Sequence, residues 1–116
     1  MREKSLHERI MAYINIQPGC KCRKRHGTAY GHKGDPDLYG SLCGLHFEFE
    51  IKQKGEKPTP LQQKRLKEWE ATGSIVGWFD DFELAKGYID ETLARSTFQV
   101  VRAELVKLGL IDAASR

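Results

Sequence analysis

The sequence predicts an α/β domain, a mixed β-sheet flanked by helices. Three observations lead there: one eight-residue segment alternates strictly between apolar and charged residues, three other segments repeat apolar residues at helical spacing, and turn or cap residues separate them. With 116 residues, 40% of them hydrophobic, the chain can bury one core and is too short for two, so a single domain over residues 1–116 is expected.

The elements follow in order. Leu6, Ile10, Tyr13 and Ile14 share one helical face, and Ser5-Leu6-His7-Glu8 can close a capping box, which gives a first helix over about residues 5–16. Pro18-Gly19 ends it, and residues 19–34 are expected to form a long loop. Asp37-Leu38-Tyr39-Gly40 then starts a strand whose partner runs over 45–52, with the turn around Ser41 to Gly44. In the partner, Leu45, Phe47, Phe49 and Ile51 take one face, which leaves His46, Glu48, Glu50 and Lys52 on the other. Thr59-Pro60-Leu61-Gln62 supplies a cap, a first-turn proline and a third-position glutamine for a helix ending at Gly73. A short apolar strand over 74–79 comes next. Asp80 or Asp81 caps a helix that turns Phe82, Ala85, Tyr88, Ile89 and Leu93 inward, and a last helix over about 97–108 carries Phe98, Val101, Leu105 and Leu108 on one stripe.

Nineteen basic residues face sixteen acidic ones, a formal net charge of +3, and the distribution matters more than the sum. Lys21, Arg23, Lys24, Arg25 and Lys33 fall with His26 and His32 in a stretch without a carboxylate, which suits a polyanion. Phosphate contacts from Arg23, Lys24, Arg25 and Lys33 would be independent of base sequence and sensitive to salt. No window approaches a membrane span and the first ten residues hold no apolar export core, so a cytosolic protein without membrane contact is expected. Trp69, Trp78 and Phe79 read as core residues.

The chemistry lies in the hairpin. It brings Asp37 beside Glu50, and the two-residue period sets Lys52 over the same face. Two converging carboxylates suit a hard cation such as Mg²⁺, or Mn²⁺, that keeps several waters, and an ammonium beside them can steady a water or a phosphate charge. Glu-x-Lys alone is commonly a solvated pair, and Pro-Asp alone a turn. Their combination at a hairpin with one wholly apolar face points to divalent-metal-dependent phosphodiester hydrolysis.

Gly34-Asp35-Pro36-Asp37-Leu38, Glu50-Ile51-Lys52, Thr59-Pro60-Leu61-Gln62 and Gly73 fall in an order that resembles VRR-NUC nucleases of the PD-(D/E)xK superfamily, over about residues 2–89. The resemblance implies a restriction-endonuclease-like core and a DNA endonuclease. Small stand-alone members, many from phages and bacteria, resemble Holliday-junction resolvases acting as homodimers on branched DNA. By the resemblance Asp37 and Glu50 hold the metal, Lys52 serves the nucleophilic water, and Gln62 supports the site beside its capping role. The family's first-helix glutamate aligns with Glu3, with Glu8 as the competitor that can instead cap through Ser5. His7 stands where the family often has glutamine. Asp35 replaces an apolar or small residue, and a turn-making role fits it.

Cys20, Cys22 and Cys43, with His26 and His46, raise a structural zinc. Cys-x-Cys is tighter than the usual gap, so reduced thiols are the expectation. A noncatalytic DNA-binding module and a restriction-type duplex nuclease stay open as alternatives.

Overall fold

A computed structural model describes residues 3–26, 32–96, 101, 104–110 and 112. Its elements are α1 (Leu6–Asn15), β1 (Cys20–Lys24), β2 (Leu38–Leu42), β3 (Leu45–Ile51), α2 (Pro60–Ala71), β4 (Ile75–Phe79) and α3 (Phe82–Arg95). The sheet has the order β1-β2-β3-β4, antiparallel across the first two pairs and parallel between β3 and β4. The parallel pair follows because α2 carries the chain from the end of β3 back to the start of β4.

The alternation in β3 separates two faces. Phe47, Phe49 and Ile51 enter the core with Ile10 and Ile14 of α1, Leu38 and Leu42 of β2, Phe79 of β4, and Ala85 and Ile89 of α3. Phe49 packs edge-on against Phe79 and Tyr88, with ring centroids 5.2 and 5.9 Å apart. The opposite face of β3 lies under α2, so Glu48 and Glu50 are also buried, at 0% and 2% exposure. The alternation alone assigns these residues to a face, and the crossover helix is what buries them.

Caps act where the sequence puts them. Ser5 Oγ accepts from Glu8 N, Thr59 and Gln62 form a reciprocal capping box, and Asp81 accepts from Leu84 N. The hairpin turns on Cys43 and Gly44, both at positive φ (51° and 90°), as a two-residue turn matched to strand twist requires. The last helix is only partly visible: Val101 and residues 104–107 are helical, whereas Thr97 and Phe98 lie outside the described residues.

The expected 19–34 loop is corrected in its first part, because residues 20–24 form the edge strand β1. Cys20 and Cys22 turn inward while Lys21 and Arg23 stay exposed, an alternation hidden by the basic composition. The free edge of this strand is covered by Asn15, whose side-chain oxygen accepts from Cys22 N (2.8 Å) and whose amide donates to Cys22 O (3.3 Å). Residues 27–31, the middle of that segment, lie outside the described residues. Among the described residues no helix is long and apolar enough to cross a membrane.

Gly40 is where β1 and β2 meet without clearance: a Cβ there would stand 1.9 Å from the Lys21 carbonyl oxygen. Gly40→Ala is expected to detach β1 and destabilise the domain by on the order of 3 kcal/mol. A melt within about 0.5 kcal/mol of the parent would contradict this account of the edge.

Candidate active site

Extending the strand registers by one residue aligns Arg25, Asp37, Glu50 and Trp78 in a row across the sheet, all on the face toward α2. The Arg25 N to Asp37 O bond (2.7 Å) and the Glu50-Trp78 pairing mark its two ends. Buried Pro36 delivers Asp37 to the mouth of β2, where its Oδ2 accepts from Ile51 N at 3.1 Å. His7, on the first turn of α1, sets its Nε2 3.3 Å from the same oxygen.

Glu50 is the centre of the group. Its Oε1 accepts from Gln62 Nε2 (3.2 Å) and lies 3.8 Å from Lys52 Nζ, whereas its Oε2 is buried with no hydrogen-bond partner. Burial pushes the carboxyl up to about 8, Asp37 beside it adds to the rise, and Lys52 offsets only part. Burial and the neighbouring Asp37 both disfavour the charged form of Glu50, and a cation beside it would relieve that cost. The unpartnered Oε2 fits a hard divalent ion, whose other positions would be water or phosphate oxygens. Among the described residues no group of three or more His, Cys, Asp and Glu is placed to hold a metal.

Gln62 performs both tasks open to it. Its Oε1 accepts from Thr59 N at 2.9 Å, closing the cap, and this leaves the amide free to donate to Glu50. The start of α2 is thereby fastened to the carboxylate it covers.

Several expected residues stand elsewhere. Glu3 precedes the Ser5 cap, is exposed, and joins no such group, so the structure does not bring it to the carboxylates; His7 arrives in its place. Spacing along the helix could have found His7 once Ser5 was taken as the cap. Arg23, Lys24 and Lys33 are exposed. Arg25 is not free for phosphate, because its two terminal nitrogens lie 2.7 and 3.2 Å from the Glu48 carboxylate and one also donates to Pro36 O. Asp35 accepts from Trp69 Nε1 at 3.3 Å, away from Glu50. Trp78 is 39% exposed and is not a core residue, whereas Phe79 is. Cys22 is buried in the core, and the thiols of Cys20 and Cys43 each lie 3.5 Å from Pro18 O. Burial pushes Cys20 up to about 11 and Cys22 to about 12, which keeps both protonated at neutral pH.

Sequence reasoning missed Glu48 altogether. It is paired with the Arg25 guanidinium and has His46 Nε2 2.7 Å from its Oε2, and Arg25 is flanked by the rings of Tyr39 and Trp69 at 4.7 and 5.9 Å. This pair ties β1, the Pro36-Asp37 corner and β3 together.

No protein family and no curated protein matches the sequence. Its architecture does match solved structures: one named "VRR_NUC domain" aligns with a TM-score of 0.62 and 22% identity over 73% of this chain and 90% of that one. A second, "VRR_NUC domain protein", aligns with a TM-score of 0.54 and 16% identity over 78% of this chain and 92% of that one. The mixed four-stranded sheet with flanking helices is therefore a VRR-NUC, restriction-endonuclease-like fold, as the motif order implied.

The raised Glu50 carboxyl has a sign. Between its ordinary value near 4.5 and about 8 the unfolded chain releases a proton that the fold retains, so without divalent ions stability falls as pH rises through this window. Glu50→Gln should remove that fall and melt several degrees above the parent at pH 8.5 in chelator. Equal melting of the two proteins at pH 5 and 8.5 would refute the assignment.

Proposed function

We propose that this domain is a divalent-metal-dependent DNA endonuclease, with Asp37 and Glu50 as the ligands of Mg²⁺ or Mn²⁺. The observation that carries the reading is the buried, unpartnered Oε2 of Glu50, in a carboxyl that has Asp37 as a neighbour and Lys52 near its other oxygen. A bound ion would lower the pKa of a water and neutralise charge on the phosphate. The chain's own groups do the rest. Lys52, with its ammonium near Glu50, can hold a water or a phosphate oxygen in position, and its backbone is pinned to Phe79 O at 2.8 Å. Gln62 fixes the rotamer of Glu50. His7 fixes Asp37 from the other side, and α2 shields the Glu50 carboxylate from bulk water.

The VRR-NUC fold supports DNA as the substrate, and exposed Arg23, Lys24 and Lys33 supply cations on its path. Structure-specific cleavage of Holliday or other branched junctions is the finer form of the proposal. It calls for a homodimer, since two strands must be cut by a chain with one site, and the exposed Val101, Leu108 and Leu110 near the C-terminus are the surface proposed for pairing.

Incubating the protein with a four-way junction and with supercoiled plasmid in Mg²⁺, Mn²⁺ or chelator tests the reading. Metal-dependent cleavage should fall at least about 100-fold in Asp37→Ala and in Lys52→Ala, while binding in chelator persists. Cleavage surviving both substitutions, or binding with no cleavage in any metal, would remove the nuclease assignment, the second result in favour of a binding module. Replacing Arg23 and Lys24 by Ala should also lower the slope of log affinity against log salt by about 2; an unchanged slope would take both off the interface.

A further inference from the structure

We propose that the cleft between α2 and β4 receives an unpaired nucleotide of the nucleic acid, its base stacked on the indole of Trp78. This deepens the nuclease reading, on which it rests, by naming the class of substrate: DNA with unpaired residues next to the scissile phosphate. The cleft holds about 440 Å³, within the range of small-ligand sites. Leu66, Val76 and Trp78 give it apolar walls, and the charges along it are Lys57, Lys67 and Glu70, a net positive set.

Trp78 is unlike the chain's other tryptophan. Trp69 donates to Asp35 and lies against His46 and Arg25, whereas Trp78 is 39% exposed and has no hydrogen-bond, aromatic or cation-π partner among the described residues. Lys57 and Lys67 form no ion pair among the described residues either. A flat, partly exposed ring in a cleft lined by two unpaired ammonium groups matches a ligand with a π-face and a phosphate.

Position narrows the ligand further. Trp78 is the in-register neighbour of Glu50 on the same sheet face, so their backbones stand one strand interval, about 4.8 Å, apart. A chain whose phosphate reaches Glu50 therefore has its adjoining residue over Trp78. A base inside a duplex has both faces covered by its neighbours, so only an unstacked one can enter.

In the Trp69→Phe protein Trp78 is the sole tryptophan, and its fluorescence reports on the cleft. In chelator, a short oligothymidylate should quench it strongly and the fully paired duplex weakly. By anisotropy of a labelled oligothymidylate, Trp78→Leu should bind at least about tenfold more weakly, and Lys57→Ala/Lys67→Ala, which keeps the ring, should bind more weakly with a flatter salt dependence. Single-strand binding unchanged in both variants, or stronger quenching by duplex than by single strand, overturns the proposal. So does a Trp78→Leu change seen only in sedimentation, which would assign the face to a second copy. Quenching by single strands from a protein that cleaves nothing in any metal would keep the nucleotide cleft and remove the nuclease.

Discussion

Two carboxylates buried side by side on one strand are the constraint around which this domain is arranged. Glu48 and Glu50 stand two residues apart on the face of β3 that α2 covers, and a buried charge must be compensated or must take up a proton. Glu48 is compensated from within, by the Arg25 guanidinium, and is hydrogen-bonded to His46 as well. Glu50 is compensated only in part, by Gln62 and a more distant Lys52, and one of its oxygens has no partner. The asymmetry separates a structural carboxylate from one available to chemistry, although both occupy equivalent positions in the alternation.

This arrangement makes β1 matter more than an edge strand usually would. Arg25 follows directly on β1, and its guanidinium holds Glu48, the Pro36 carbonyl and the Asp37 corner together while two aromatic rings flank it. The strand pairs so closely with Gly40 that no side chain fits there, and Asn15 of α1 closes its outer edge. Stability and site geometry therefore share the same few contacts. On the other side of the sheet, α1 is fastened to α3 through Tyr13, which donates to Asp90, and through Arg9 over Phe82 at 4.3 Å. His7 and Asp37 consequently meet on a braced helix.

Much of the fold was legible because local signals agreed: the alternation in β3, the capping box at Thr59 and the cap at Asp81 each mark an element on their own. In the candidate site, Asp37, Glu50, Lys52 and Gln62 could be grouped because the two-residue period and the cap spacing place them. What could not be read depends on tertiary partners. β1 was obscured by basic residues that pattern as a polar loop. Arg25 looked like a phosphate ligand because its buried partner Glu48 lies 23 residues away in the chain and no local pattern joins the two. Trp78 was assigned to the core since aromatic residues in an apolar strand are usually buried, and only the position of α2 leaves that ring uncovered.

The row across the sheet also acts as a ruler. Asp37, at the entry to β2, Glu50 and Trp78 stand on neighbouring strand lines, so the three span roughly 10 Å, about three base steps of a duplex. On the proposed reading, a footprint that short senses the local path of the backbone and is too narrow to spell out a long recognition word. Any selectivity for a longer stretch of nucleic acid would have to come from the basic segment flanking the row, or from a second footprint held at a set distance.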